Sequence, residues 1–186
     1  MLNRLRFVGL VVLALIVDIS IGIALSMLSV PSPASAAASN PAADADKASI
    51  EALETRFSNA FKARDVNAIM QCYAQGAGLF VFDLTPPRQH VGWFDYKKDW
   101  QGMFAAFPGP LTFSISDLNI TVVGTVAYSH SIQQGQLTRK DGTKLDVVAR
   151  VTDVYRNLSG RWLIVEEHVS VPVDLDSQKP DLLSKP

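Results

Sequence analysis

Seven aromatic or ionisable side chains fall on one face of the three strands predicted for the last third of the chain. They are Tyr128, His130, Asp153, Tyr155, Trp162, Glu166 and His168. The other side chains predicted for that face are the apolar Val126, Ile132, Val147, Val151 and Ile164. Ionisable groups on an otherwise apolar face usually line a pocket, so this pattern predicts a small-molecule site.

Asp153 and His130 are the candidate catalytic residues of this face. An apolar wall raises the pKa of a carboxyl, so a protonated Asp153 could donate a hydrogen bond to a developing oxyanion. Imidazole titrates near neutral pH, so His130 and His168 could exchange protons with a substrate. The alternative is structural: His130 holds Asp153 as an ion pair across the strands, and both histidines are hydrogen-bonded core residues.

The predicted pairing of His130 with Asp153 depends on the turn between the first two strands. Residues 140–143, Lys-Asp-Gly-Thr, separate two strand-like runs. Asp-Gly at such a place is a strong hairpin signal, because both turn residues take positive φ. Centring the turn on this dipeptide puts His130 opposite Asp153. The next turn fits either two or four residues, and both lengths give the same faces.

Asp83 is a third candidate catalytic residue. It ends a short predicted strand just before Pro86 and Pro87, where it could act as a general base or cap the turn. Tyr96 and Trp100 lie one helical turn apart, so they either line the pocket or belong to the core.

The sequence predicts neither a cofactor nor a metal. His130 and His168 could hold a divalent ion together with Asp153 and Glu166, but no spacing specific to zinc is present. Neither a phosphate-binding glycine loop nor a nucleophile elbow is visible, which argues against nucleotide binding and covalent catalysis. The formal charge is -1 and there is no basic stripe, so nucleic acid is not an expected partner.

Apolar residues at helical spacing indicate that helices precede the strands. One helix is predicted for about residues 47–63 from the spacing of Ile50, Leu53, Phe57 and Phe61. A shorter helix begins after Asp65, and a third covers about residues 93–107 before a proline. Three helices followed by a long antiparallel meander indicate an α+β fold, with the helices covering one face of a curved sheet.

Residues 1–36 predict a targeting segment. Two arginines precede an apolar run that ends in small residues, as in a secretory signal cut after Ala36 or Ala38. The alternative is an uncleaved membrane anchor, against which Asp18 in the middle of the run argues. We therefore expect a periplasmic or secreted protein, and membrane contact only if this segment is retained.

The remainder of the chain has the size of one domain. Residues 37–45 are predicted to form a linker, residues 46–173 the domain and residues 174–186 a polar tail. Cys72 is the only cysteine, so the fold cannot depend on an internal disulfide.

The last two strands carry a family resemblance. The predicted elements have the order helix-helix-strand-helix-meander. The meander ends with residues 150–156, RVTDVYR, and residues 160–170, GRWLIVEEHVS. This arrangement resembles the SnoaL-like group of the nuclear transport factor 2-like superfamily over nearly all of residues 46–173. The resemblance implies a cone-shaped, strongly bent antiparallel sheet covered by three N-terminal helices, with a pocket inside and a homodimer formed across the outer sheet face.

The ketosteroid isomerases of that superfamily offer a comparison for the catalytic residues. Their general-base Asp precedes a proline-containing loop and a Gly, and Asp83 is similarly placed. Their oxyanion-hole Asp opens an Asp-Val segment, which Asp153 and Val154 resemble. Their oxyanion Tyr falls on Phe57, which cannot donate a hydrogen bond, and this difference favours binding without catalysis.

Together these observations predict an exported domain that binds a small, partly apolar molecule. It would catalyse proton transfer, isomerisation or dehydration, with Asp83 or His130 as base and Asp153 as electrophilic partner. The alternative is a non-catalytic module for ligand binding or dimeric assembly, because a fold does not determine a function.

Overall fold

The computed structural model describes residues 40–184, which form three helices and eight strands. The helices are α1 (Pro41–Ala63), α2 (Val66–Met70) and α3 (Trp93–Ala106). The strands are β1 (Phe80–Phe82), β2 (His90–Val91), β3 (Thr112–Val123), β4 (Val126–Thr138), β5 (Lys144–Leu158), β6 (Arg161–Ser170), β7 (Val173–Asp174) and β8 (Lys179–Pro180). The predicted α+β class is confirmed. The predicted signal segment, residues 1–36, lies outside the described residues.

Six strands form one open, curved sheet in the order β2-β1-β6-β5-β4-β3, and β7 pairs with β8 separately. All neighbours in the large sheet are antiparallel except β1 and β6. The helices cover its inner face. Within residues 40–184, no helix has both the length and the apolar character needed to cross a membrane.

The apolar stripe predicted for the first helix is buried as expected, with Ile50 and Leu53 fully inaccessible. The helix begins earlier than predicted. The side chain of Asn40 accepts the N–H of Ala42, and Pro41 occupies the first turn, so part of the predicted linker is helical. The helix ends at Ala63, and the next residue, Arg64, has a φ of 58°, the left-handed conformation typical of a helix end.

The β4–β5 hairpin differs from the prediction by one residue. The N–H of Gly142 donates to Arg139 O, and Arg139 N–H donates to Thr143 O, so the loop has three residues with Gly142 at a φ of 85°. A three-residue loop shifts the pairing by one position relative to a two-residue loop. Asp153 therefore lies opposite Ser129, and the predicted pairing with His130 is wrong.

A β-bulge changes the face of residues in β6. Val154 pairs with Glu166, but the next residue, Tyr155, pairs with Ile164, so Val165 is an extra residue. Trp162 and Ile164, before the bulge, therefore point inward as predicted. After the bulge Glu167 points inward, and its neighbours Glu166 and His168, which were predicted to do so, point outward.

The C-terminal residues also pack against the sheet. β6 pairs with β5 only as far as the Ser170–Arg150 pair, and beyond it the N–H of Val148 donates to Leu182 O at 2.7 Å. The predicted polar tail thus lies along the edge of β5 that β6 leaves open.

Candidate functional site

A cavity of about 530 Å³ lies between α1, α3 and the inner face of the sheet. Most of its wall is apolar, including Phe57, Phe61, Trp100, Met103, Phe113, Val147 and Val169. Aromatic rings from three elements meet here: the Phe57 ring lies 5.8 Å from that of Trp100 and 5.9 Å from that of Phe113. The wall also carries ionisable side chains, and among them the Tyr96 hydroxyl lies within hydrogen-bond distance of both Asp83 and Glu167.

Glu167 is the most deeply buried carboxyl of the cavity wall, with 4% of its surface exposed. Tyr96 Oη donates to its Oε1 at 2.7 Å, and Tyr73 Oη donates to its Oε2 at 2.8 Å. Burial raises the pKa of Glu167 to about 7, while the two hydroxyl donors act in the opposite direction. No lysine or arginine of residues 40–184 forms an ion pair with it. The group can therefore both hold and release a proton near neutral pH.

Asp83 stands beside this carboxyl at the end of β1. It accepts the backbone N–H of Leu84, and its Oδ2 lies 3.3 Å from Tyr96 Oη. Burial raises its pKa as well, against the lowering effect of these donors. A hydroxyl has one proton to donate, so Tyr96 can serve Glu167 or Asp83 but not both at once. The Tyr96 hydroxyl thus links two carboxyls whose protonation states depend on each other.

A second polar layer lies behind the cavity wall. Tyr155 Oη lies 2.8 Å from Glu54 Oε1, 2.8 Å from Ser129 Oγ and 3.4 Å from Asp153 Oδ2. Burial raises the pKa of Glu54 to about 7 and that of Asp153 well above its usual range. Asp153 lies directly opposite Glu167 across the strands. The two layers therefore meet at the Asp153–Glu167 pair.

A buried histidine lies next to the cavity. His90 Nδ1 is 3.2 Å from Asp95 Oδ2, and its Nε2 is 3.6 Å from Oδ1 of Asp99, which lines the cavity. Both carboxylates come from one face of α3, four residues apart. The Nε2 atom is buried without a hydrogen-bond partner among the described residues.

The structure separates the predicted site residues into three groups. Asp83, Tyr96 and Trp100 line the cavity. Asp153, Tyr155 and Trp162 are buried on the inner face but lie behind the cavity wall, where Trp162 Nε1 donates to Asp46 Oδ1 at 2.8 Å. The remaining four, Tyr128, His130, Glu166 and His168, are exposed on the outer face.

The placement of these four residues in the pocket is wrong. The odd-length hairpin loop turns Tyr128 and His130 outward, and Tyr128 has 49% of its surface exposed. The bulge at Val165 turns Glu166 and His168 outward. Side chains alternate between the two faces of a strand. This alternation shows which residues of neighbouring strands share a face only where the turn length is known and no bulge intervenes.

Sequence reasoning missed Glu54, Tyr73, His90 and the inward position of Glu167. Glu54 carried a usable signal, because it follows Leu53 on the apolar stripe of α1 and is only 3% exposed. For His90, the signal was the pair of aspartates spaced four apart on the following helix. Within residues 40–184, no group of three or more His, Cys, Asp or Glu side chains is arranged to hold a metal ion.

Residues 50–174 match the SnoaL-like domain, which is more than half of the 186-residue chain. The chain belongs to the SnoaL-like family. This confirms the resemblance predicted from the last two strands. No curated protein matches this SnoaL-like chain.

Solved structures share the fold of this SnoaL-like chain. An NTF2-like protein of unknown function from Pseudomonas putida KT2440 is 27% identical, with a TM-score of 0.69 over 77% of this chain and 98% of that chain. A ketosteroid isomerase-like protein from Erwinia carotovora atroseptica is 19% identical, with a TM-score of 0.57 over 66% and 93%. A candidate dehydratase of the NTF2-like family from Streptomyces avermitilis is 15% identical, with a TM-score of 0.61 over 69% and 97%. The last two likenesses concern the fold alone.

Proposed function

We propose that this domain binds a small, largely apolar molecule in its cavity and catalyses proton transfer on it, leading to isomerisation or dehydration. The observation that carries this proposal is the position of Glu167, a carboxyl buried in an apolar cavity wall and held by two tyrosine hydroxyls. A carboxyl whose pKa lies near 7 is suited to general acid–base catalysis at neutral pH.

In the proposed mechanism Glu167 is the proton acceptor. As a carboxylate it takes a proton from a carbon atom activated by a neighbouring carbonyl, and then returns that proton at another position or to a departing hydroxyl. Once Glu167 has taken the proton, the Tyr96 hydroxyl can turn from this carboxyl to the substrate oxygen. Asp83, in the same wall, can stabilise negative charge on that oxygen in its protonated form. Asp153 does not reach the cavity; it lies opposite Glu167 and, by keeping its own proton, adds no second negative charge beside the base.

Phe57 stands where the ketosteroid isomerases have their oxyanion Tyr, but the site is not left without a hydroxyl donor. Its ring packs at the cavity wall, and the Tyr96 hydroxyl, on α3, reaches the same wall. The Tyr73 hydroxyl, after α2, donates to Glu167 from behind that wall. The names of two structural neighbours, one ketosteroid isomerase-like and one a candidate dehydratase, belong to the same two reaction classes. These features support catalysis over binding alone.

The test is a proton-exchange assay that requires no knowledge of the natural substrate. Alicyclic and aryl ketones are incubated with the protein in deuterium oxide, and loss of the α-proton signal is followed by NMR. Parallel incubations with β-hydroxy ketones report dehydration through the absorbance of the enone. We expect exchange to accelerate as the pH rises through about 7, because Glu167 then becomes the carboxylate.

Two matched variants assign the effect. Glu167→Gln removes the base but keeps the side-chain shape, and we expect the exchange rate to fall by about 100-fold or more. Glu166→Gln removes the neighbouring outer-face carboxylate and should leave the rate unchanged. Equal losses in both variants, or no acceleration over buffer with any of the compounds, would show that the cavity does not perform this chemistry.

We also propose that the chain is exported and forms a homodimer through the outer face of the sheet. The support for export is the basic, apolar and small-residue pattern of residues 1–36. The support for dimerisation is the exposure of Val126 and Tyr128 on that face. Intact mass of the protein recovered from an exporting host tests cleavage after Ala36 or Ala38, and sedimentation of Tyr128→Glu against wild type tests the interface.

A further inference from the structure

The cavity has two chemically different ends. Asp83, Tyr96 and Glu167 form one end, beside the first half of α3. Phe107, Leu137 and Arg139 line the cavity where this helix finishes. Tyr96 and Phe107 are eleven residues apart along the chain. At a rise of 1.5 Å per residue, the helix separates them by about 16 Å. The cavity therefore runs from a carboxyl end, where the exposed Lys98 also lines it, to a cationic end at Arg139, over a mostly apolar middle.

Several specific contacts hold the cationic end in place. The guanidinium of Arg139 lies over the Phe107 ring, 5.0 Å from its centre. Arg64 donates from Nη1 to Phe107 O at 2.6 Å and from Nη2 to Gly109 O. Gly109 N–H donates in turn to Thr138 O at 3.0 Å, which fixes the residue before Arg139. The position of this guanidinium is thus built by three elements: the end of α1, the loop after α3 and the end of β4.

Arg139 is exposed, and its charge is a minor cause of the lowered pKa of Asp141, after the hydrogen bonds of that carboxylate with Thr143. Arg139 forms no ion pair with any carboxylate of residues 40–184. The nearest acidic residue in its own turn, Asp141, accepts the N–H of Thr143. The carbonyls of Phe107 and Gly109, just after α3, already accept from Arg64. An arginine that is stacked on an aromatic ring, unpaired and at a cavity wall is suited to bidentate binding of a ligand carboxylate.

We infer that the natural ligand is an elongated, largely apolar carboxylic acid, whose carboxylate is bound by Arg139 and whose far end reaches Glu167. Its apolar body lies along the aromatic and aliphatic wall, and the reacting carbon lies beside Glu167 and Asp83. This inference rests on the proposed use of the cavity as the substrate site. Arg139 is in this view the residue that determines specificity, and it takes no part in the proton transfer.

The test compares ligands that differ only at one end. Decanoic acid and decanamide have the same apolar chain, and their binding is measured by calorimetry and by the fluorescence of Trp100, the one tryptophan of residues 40–184 that lines the cavity. We expect the wild-type protein to bind the acid about tenfold more tightly than the amide near neutral pH. Arg139→Gln should remove this preference while leaving the affinity for the amide unchanged, and Arg139→Lys should restore part of it.

Lys140→Gln is the matched control, because Lys140 is an exposed cation of the same turn that does not line the cavity. It should keep the full preference for the acid. The inference would be overturned if wild type bound acid and amide equally, or bound neither. It would also be overturned if Arg139→Gln lost affinity for both equally, or if Lys98→Gln lost the preference instead.

The result of this binding test can be separated from the result of the proton-exchange test. Preference for the acid is read from binding alone, so it persists in Glu167→Gln even if no ketone exchanges. Conversely, exchange without any preference for the acid would leave the proposed catalysis standing and remove only the assignment of Arg139.

Discussion

Asp153 and Glu167 lie directly opposite each other on β5 and β6, and both carboxyls are buried. The charge of Glu167 adds to burial in raising the pKa of Asp153. Two carboxyls at such a position cannot both be ionised without a cation beside them, and no lysine or arginine of residues 40–184 pairs with either. The pair therefore retains a proton at neutral pH, and Asp153 is the group that keeps it.

The first prediction concerns the pH dependence of stability. Burial raises the pKa of Glu54 and of Glu167 from 4.5 to about 7, so the folded chain binds more protons than the unfolded chain between these values. The free energy of unfolding should therefore fall as the pH rises from about 4.5 to about 7, by on the order of 3 kcal/mol for each carboxyl. Urea unfolding followed by circular dichroism at a series of pH values measures this slope.

Glutamine variants provide the control for this slope. The double variant Glu54→Gln, Glu167→Gln should have a flatter profile, whereas Glu166→Gln should retain the wild-type profile. A free energy of unfolding that rises over the same range would contradict the buried, uncompensated state of the two carboxyls.

The second prediction concerns the hydroxyl of Tyr96. Tyr96→Phe keeps the ring but removes the donor that joins Glu167 to Asp83. Because this hydrogen bond lowers the pKa of Glu167, its loss should move the midpoint of the exchange-rate profile to higher pH. We expect stability to fall by about 1–3 kcal/mol. Tyr128→Phe, on the outer face, should change neither quantity, and an unchanged midpoint in Tyr96→Phe would exclude the proposed link.

The third prediction concerns His90. Burial raises the pKa of both Asp83 and Asp99, and the imidazole of His90 acts against that rise. His90→Gln should therefore raise the pKa values of these two aspartates, which carbon-13 NMR titration of the carboxyl carbons measures. His130→Gln removes an exposed outer-face histidine and serves as the control. If the aspartate titrations are the same in both variants, His90 does not influence the cavity.

The fourth prediction concerns the close approach of Gly109 to β4. A Cβ at this position would lie 2.9 Å from Cβ of Thr138 and 3.0 Å from its carbonyl oxygen. Gly109→Ala should therefore destabilise the domain by about 1–3 kcal/mol and weaken the preference for carboxylic acids. Gly102→Ala, in α3 with open space at its Cβ, should be neutral or stabilising by up to about 1 kcal/mol. Similar melting temperatures for the two variants would contradict the tight packing.

Local sequence patterns predicted the elements better than the site. The stripe from Ile50 to Phe61 located α1, and the alternation of Val151, Asp153 and Tyr155 correctly put these side chains on the inner face. These assignments depend on neighbours in the sequence, which share the same strand or helix. The start of α1 was missed because its cap, Asn40, lies in a stretch that resembles a linker.

Two local irregularities decided which residues reach the site. The loop around Gly142 has three residues, and an odd length exchanges the faces of β4 relative to β5. The bulge at Val165 exchanges the faces within β6, which brings Glu167 inward and turns Glu166 and His168 out. Neither is encoded by alternation of apolar and polar residues, because each depends on backbone conformation at one position.

The contact between Val148 and Leu182 bears on self-association. Where β6 stops, residues 144–149 of β5 have backbone groups on one side without a neighbouring strand, beside apolar side chains of the cavity. Such an open edge is a template for strand addition by another molecule, and the C-terminal segment covers it. We therefore expect proteolytic removal of this segment to favour intermolecular β-structure, which thioflavin T fluorescence of the trimmed protein would measure.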